Sequence, residues 1–349
     1  MGRPLKMNTK IAGYVAKQLA KGKKIFPLVT IIEPLEQCNL RCTGCGRIRE
    51  YSDHLDEKLT PEEVVSAADE SGAPVVSISG GEPLIHPQIE IIVQRLIEEG
   101  YYIMLCTNGL LLEEKLKTLE PDEKLAFAVH LDGTEEVHDD YTNREGVYER
   151  VFNGVKKAID QGYRVTTNTT IFKESDPDDL HELFRRLTDV GVEGIMLAPG
   201  YNYASVDRSA EKHFLERKES IEVFREILDP EKTKDFPFYN TPLYLDFLRG
   251  KRDLQCNAWA SPTYTVLGWR KPCYILADDH VDSVDEILDE DLWENYGVGK
   301  DRRCNSCMIH SGFDTAGTIV SLRSKEGMVD LVKSTLPDRL TKILTTEQE

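Results

Sequence analysis

The sequence contains no run of 18 or more apolar residues, so no segment of it is long enough to span a bilayer. Its first residues lack the apolar stretch and small-residue cleavage site of a signal peptide, which predicts a cytoplasmic protein. There is no P-loop and no Asp-x-His-x-x-Gly cobalamin signature. Internal repeats and low-complexity tracts are absent. Basic residues are outnumbered, 43 against 61 acidic, for a net charge of −18 over 349 residues. A chain this acidic does not grip phosphate backbones along its whole surface, and no nucleic-acid partner is expected.

The shortage of positive charge is uneven. Residues 1–32 carry seven basic side chains and no Asp or Glu, leaving −25 for the remainder (−18 minus +7). Residues 8–21 read as a helix with Ile11, Tyr14, Val15 and Leu19 on one face and Lys10, Lys17 and Lys21 elsewhere. Such a basic arm, residues 1–27, suits two situations. It can dock on anionic lipid at the inner face of the membrane, or pack as a solvated helix on the body of the protein.

After the arm, β-rich runs alternate with helical patterns. The runs are Leu28–Ile32, Pro74–Ser79, Tyr101–Cys106, Leu125–Leu131, Arg164–Ile171 and Gly194–Ala198. Helical patterns fall near 61–71, 87–99, 112–118, 146–161 and 178–190. Thr60-Pro61-Glu62-Glu63 carries the signs of a capping box, and Asp176-Pro177 opens a helix in the same way. The six alternations predict an α/β fold with a parallel sheet, open or closed into a barrel, with reactive residues at the C-terminal strand ends. The alternation stops near residue 235. Residues 236–330 are expected to form a small metal-stapled extension, followed by a polar tail over 331–349. Aromatics crowd 236–274, and with Tyr201 and Tyr203 they are either core or the lining of an apolar channel.

There are eight cysteines: Cys38, Cys42, Cys45, Cys106, Cys256, Cys273, Cys304 and Cys307. Cytosolic thiols stay reduced, so this distribution predicts two metal centres and one singleton rather than disulfides. Cys38-x3-Cys42-x2-Cys45 follows the first strand. Three thiolates at that spacing can hold three irons of a cubane and leave the fourth open. The competing assignment is structural zinc, completed by His54 or His86. Cys256, Cys273, Cys304 and Cys307 make a closed set of four, suited to an auxiliary iron–sulfur cluster or to zinc. His138, His181 and His213 are expected at the surface.

The three-cysteine motif followed by Ser79-Gly80-Gly81-Glu82-Pro83 resembles the radical S-adenosylmethionine (SAM) superfamily. The resemblance implies a partial (β/α)6 TIM-type barrel over 28–235 with a small, cysteine-rich, twitch-like C-terminal extension. It also implies a 4Fe–4S cluster on Cys38, Cys42 and Cys45, its open iron chelating SAM. Glu82 is then an acceptor for the SAM ammonium, with Gly80 and Gly81 letting the backbone approach the ligand. Further SAM contacts are implied at Thr107, Asn108, His130, Asp132, Asn168 and Pro199. Gly44 departs from the superfamily, which mostly places an aromatic there.

At finer grain the stretches Glu33–Gly46, Val76–Leu84, Leu105–Asn108, Arg164–Thr170, Ala198–Tyr201, Gly268–Tyr274 and Trp293–Gly297 resemble the adenosylhopane synthase (adenosyl-hopene transferase) family. That family adds the 5′-deoxyadenosyl radical to the terminal alkene of diploptene in hopanoid biosynthesis. The implied partners are a hydrophobic triterpene alkene and an electron donor such as flavodoxin or ferredoxin. Addition leaves a tertiary carbon radical, and Cys106, two residues before Asn108, is either its hydrogen-atom donor or a small core residue. Two other readings stand beside this one. One is a radical enzyme that abstracts hydrogen, such as a peptide maturase, and the other is a non-catalytic iron–sulfur electron carrier.

Overall fold

The computed structural model describes residues 4–203 and 205–323, so the tail expected over 331–349 lies outside the described residues. Six strands run parallel and side by side in chain order: β1 Val29–Ile32, β2 Val75–Ile78, β3 Tyr102–Thr107, β4 Leu125–His130, β5 Arg164–Ile171 and β6 Gly194–Pro199. Each matches an expected run to within a residue or two. Helices 61–71, 89–98, 147–160 and 177–190 make the principal crossovers. The first begins at a true capping box. Glu63 N donates to Thr60 Oγ1 at 3.3 Å and Thr60 N donates back to the Glu63 carboxylate at 2.7 Å, a cap worth about 1 kcal/mol. Asp176 caps the fourth by accepting from Asp178 N and Asp179 N. Helix Glu135–Thr142 was not expected. Its only apolar residues are Val137 and Tyr141, too few to draw a stripe.

Strand alternation divides the sheet's side chains between two faces. Val76, Ile78, Ile103, Leu105, Phe127 and Val129 point outward into a core shared with the helices. Val75, Tyr102, Met104, Ala126 and Ala128 form a second apolar cluster on the inner face, with Met7 and Tyr239. Tyr239 lies beyond β6 yet its hydroxyl reaches Met104 Sδ on β3 at 3.9 Å, so the sheet curls toward a partial barrel. The N-terminal helix Leu5–Ala20 closes the lower end of that inner face with Met7 and Ile11. Farther along, Val15, Tyr14 and Leu19 pack against Phe26, Trp259 and Ile319. Burying side chains such as Met7 and Val15 contributes roughly 1.5–3 kcal/mol each. The apolar face of the arm is therefore spent on the protein itself, while Lys17, Lys21, Lys23 and Lys24 remain exposed.

The segment after residue 235 is less separate than its composition implies. β7 Thr263–Thr265 pairs parallel to β1, and β8 Gly268–Pro272 and β9 Ala277–Val281 follow antiparallel, extending one sheet to nine strands in the order β6-β5-β4-β3-β2-β1-β7-β8-β9. The aromatics of 236–274 are mostly core. Tyr244 and Phe247 stack in a row with Phe313, Trp269 is fully buried, and Phe236 and Phe238 pack on Phe184. The channel-lining alternative fails for these residues because each packs against the body. Among the described residues no helix is long and apolar enough to cross a membrane.

Candidate active site

The C-terminal ends of β1–β6 surround a cup whose depth is set by side-chain size. The inward row nearest the mouth is half-buried: Ser77, Cys106, His130, Asn168 and Met196. Beneath it Met104, Ala126, Ala128 and Thr166 are buried and form the floor. Cys106 sits at the boundary, with its sulfur 3.5 Å from Ser77 Oγ. Burial pushes its thiol pKa up, which keeps the proton on sulfur.

Cys38, Cys42 and Cys45 lie on the loop that leaves β1 over this mouth, the first two half-buried and Cys45 exposed. Burial raises the Cys38 thiol to about 11, and the neighbouring Cys45 adds to the rise. Cys42 is raised too, first by burial and then by Cys45, Asp132 and Cys38, so the three sulfurs feel one another's charge. Asn108 turns its Nδ2 toward Asn39 Oδ1 at 2.7 Å and Cys38 Sγ at 3.6 Å.

The glycine segment after β2 has a different task from the one expected. A Cβ on Gly80 would meet Leu35 O at 2.4 Å, and one on Gly81 would meet Gln37 O at 2.2 Å. Both glycines let the segment lie against the backbone that delivers Cys38. Gly81 N donates to Leu35 O at 3.0 Å and Glu82 N to Gln37 O at 2.9 Å. Glu82 itself is fully buried and turned into the wall. Its carboxylate accepts from Leu84 N (3.0 Å), Thr107 Oγ1 (2.8 Å) and Asn108 N (2.7 Å), clamping the β2 loop to the β3 loop. Burial pushes this carboxyl up to about 7 against the pull of those hydrogen bonds. Glu82 and Thr107 thus shape the mouth from behind, and the ammonium-acceptor assignment for the Glu82 carboxylate is not matched by its position.

Ser79, His130 and Asn168 face the cup, whereas Pro199 shares the outward parity of Leu197. Ser79 Oγ and Asn168 Oδ1 are buried with no hydrogen-bond partner among the described residues, as expected of atoms that wait for a ligand. His130 Nε2 meets Asp132 Oδ2 at 2.6 Å, and Asp132 Oδ1 accepts from Thr170 N at 2.8 Å. Burial opposes the imidazolium, but the Asp132 charge outweighs it and holds the His130 pKa above its usual value. Pro199 closes β6 against Ile171. At Gly44 the backbone is left-handed (φ +79°), and the rings of Phe214 and Phe172 lie 3.1 and 3.3 Å from where a Cβ would stand. An aromatic side chain at position 44 is excluded because other aromatics already occupy the space. His138 and His181 are buried, correcting their surface placement, because both lie on inward helix faces. His138 Nδ1 accepts from Asp132 N at 3.2 Å, and the His181 ring bonds Ile227 O at 2.9 Å. His213 pairs with Glu174.

The second cysteine set also comes together. Cys256, Cys273, Cys304 and Cys307, drawn from a stretch of just over 50 residues, line one cavity of about 40 Å³ with Tyr201, Trp293 and Phe313. Four thiols on one cavity are a donor set for an iron–sulfur or zinc centre. Among the described residues no three His, Cys, Asp or Glu side chains converge on a single metal-ion position. Sequence reasoning missed Glu33, Glu36, Arg47, Arg270 and Tyr274, which are packed together between the two cysteine sets. The available signal was two carboxylates flanking the apolar Pro34-Leu35 at the end of a buried strand.

Residues 32–187 match the model of the Radical SAM superfamily, and residues 195–331 match a domain of unknown function, DUF3463. GTP 3′,8-cyclase of Aquifex aeolicus (strain VF5) is 32% identical over 166 residues, 45% of this chain and 52% of that protein. The antilisterial bacteriocin subtilosin biosynthesis protein AlbA of Bacillus subtilis (strain 168) is 25% identical over 257 residues, 71% of this chain and 55% of that one. The chain spans about half the length of these two curated relatives. Among solved structures, Streptococcus suis SuiB bound to S-adenosylmethionine matches with a TM-score of 0.61 at 16% identity, over 90% of this chain and 76% of that one, a likeness of fold.

Proposed function

We propose that the chain is a radical SAM enzyme, as the match of residues 32–187 to that superfamily supports, and that it uses a 4Fe–4S cluster and SAM to add the 5′-deoxyadenosyl group to the terminal alkene of a hopene-type triterpene, giving adenosylhopane. In this reading Cys38, Cys42 and Cys45 hold the cluster, and Ser79, Asn108, His130 and Asn168 face bound SAM. The orphaned Ser79 Oγ and Asn168 Oδ1 and the three thiols over the same mouth support that placement. When bound, the cluster supplies the electron that cleaves SAM to methionine and the adenosyl radical. The chain's own residues exclude water from the cup, orient the alkene and end the reaction.

The observation that carries the finer assignment is Cys106, a thiol on the inward row beside Ala128, over a floor of Met104, Ala126 and Thr166 whose one hydroxyl is already bonded to Phe127 O. A saturated hydrocarbon skeleton has no polar handle, and these small and thioether side chains offer it none. The tertiary carbon radical left by addition takes the hydrogen atom from the Cys106 S–H, forming a C–H bond and a thiyl radical. One electron from a flavodoxin- or ferredoxin-type donor and one proton restore the thiol. Cys106→Ala is expected to cleave SAM within about 3-fold of the parent rate, yet to lose saturated adduct at least about 10-fold or scramble its stereochemistry. Chiral analysis of the product checks this, and unchanged yield and stereochemistry would remove Cys106 from the reaction.

The exposed lysines of the N-terminal arm support contact with an anionic membrane surface, where each basic residue contributes about 1 kcal/mol. The four C-terminal cysteines are read as an auxiliary iron–sulfur centre. A second reading, hydrogen abstraction from a peptide, is favoured by the relation to the bacteriocin biosynthesis protein AlbA. Products separate the two, since addition places adenosine in the product and abstraction releases 5′-deoxyadenosine.

A further inference from the structure

A buried charged network lies between the two cysteine sets, and the chemistry above does not use it. Arg47, two residues after Cys45, has a side chain only 7% exposed and pairs with Glu33 at 2.9 Å and Glu50 at 3.2 Å. Its guanidinium carbon stands 4.5 Å from the centroid of the Tyr274 ring, and Tyr274 directly follows Cys273. Arg270, three residues before Cys273, is 1% exposed and reaches Glu50 at 2.6 Å and the Tyr51 hydroxyl at 2.8 Å. On the other flank, Gly46 N donates to the Tyr203 hydroxyl at 2.7 Å, and the Tyr201 hydroxyl donates to Arg303 O, one residue before Cys304.

Apolar residues of similar volume hold such a space at least as firmly, because buried ion pairs recover little more than their own desolvation. Stability alone does not account for the network. Its distinguishing feature is position, since its members are the chain neighbours of Cys45, Cys273 and Cys304. Held between Glu33 and Glu50, the Arg47 guanidinium changes the local low-dielectric field when its seat on Tyr274 shifts. We propose that Arg47, seated on Tyr274, is a positioning residue that couples the two centres. A filled C-terminal centre fixes Cys273 and hence Tyr274, which holds the guanidinium of a residue two positions along the chain from Cys45, from where its charge favours the reduced, more negative state of the first cluster. This deepens the reading of two cysteine-held centres and rests on it. It holds whether the second centre is iron–sulfur or zinc.

The sign of the effect separates this coupling from direct repulsion between centres. Emptying an anionic neighbour by Coulomb's law alone makes the first cluster easier to reduce. If the neighbour instead acts by seating Arg47, emptying it makes reduction harder. The test is an EPR-monitored redox titration of the first cluster in the full chain, in Cys304→Ser, in Arg47→Met and in the double variant, read as a double-mutant cycle. Each single variant is expected to disfavour reduction about 10-fold, about 59 mV for one electron, and the double variant no further. Tyr274→Leu, which removes the ring and keeps the charge, is expected to reproduce the shift and serves where Arg47→Met does not fold. A potential that rises or stays constant in Cys304→Ser, or the same downward shift in the Arg47→Met background, overturns the coupling. Metal and sulfide analysis of the same samples distinguishes the two failures. A parent chain with no metal on its C-terminal cysteines defeats the reading beneath, whereas two loaded centres indifferent to Arg47 defeat only the coupling.

Discussion

Cys42→Ala is expected to abolish reductive cleavage of SAM, lowering 5′-deoxyadenosyl transfer by at least about three orders of magnitude, equivalent to roughly 4 kcal/mol of barrier. Cys42 is the middle thiol of the three on the loop after β1, and it shares its electrostatic surroundings with both others and with Asp132. Two thiols cannot anchor a cubane whose fourth iron must stay open, so the variant should fail to assemble the cluster rather than assemble a slower one. The effect should also be local. Cys42 is half-buried at the margin of the main core and lies outside β1–β6, so little of the fold is expected to change. Anaerobic reconstitution followed by iron analysis, the visible spectrum and quantitation of methionine would check it. The expected result is a loss of about four irons with the far-UV circular dichroism unchanged. Full SAM cleavage by Cys42→Ala would remove the three-cysteine site from the mechanism.

Gly81→Ala is expected to act as severely from a residue that touches no metal. The added methyl would lie 2.2 Å from Gln37 O and 2.5 Å from Glu36 O, both backbone atoms, so the clash cannot be relieved by a side-chain rotation. Either the β2 loop or the cysteine loop must move. The hydrogen bond from Glu82 N to Gln37 O (2.9 Å) goes with it, as does the Glu82 clamp on Thr107 and Asn108. We expect a loss of about 3 kcal/mol or more, seen as a fall of roughly 6–12 °C in Tm, together with poor cluster retention. Gly13→Ala is the matched control. Nothing lies within 4 Å of its added methyl, it sits inside the N-terminal helix, and it should be neutral or stabilising by up to about 1 kcal/mol. Equal melting and equal iron content for the two variants would contradict the packing role of Gly81.

The contrast between these substitutions shows which parts of the molecule a linear reading reaches. Cys38, Cys42 and Cys45 were legible as a candidate set because thiols confined to one loop are written as spacing. β1–β6 and the principal crossovers were legible because short β-branched runs and capped amphipathic stripes are local patterns. The segment after residue 235 was not. β7 is three residues long and finds its partner β1 more than 200 residues earlier, and no local periodicity encodes such a pairing. Gly80, Gly81 and Glu82 could be picked out as a motif, but their work could not, because the groups they meet lie on another loop. Glu82 reads in the sequence as an acceptor for the SAM ammonium and is a buried clamp in the fold. The aromatics of 236–274 looked like a possible channel for the same reason, since composition does not say which face a ring presents. Arg47 and Tyr274 were invisible as a pair, being joined only by the fold.

The most direct test of the account is anaerobic incubation of the reconstituted full chain with SAM, dithionite and diploptene, followed by mass spectrometry of the lipid extract. The account predicts a hopane carrying the added mass of 5′-deoxyadenosine, formed with one methionine per adduct. Methionine and free 5′-deoxyadenosine without any adenosylated lipid would contradict it.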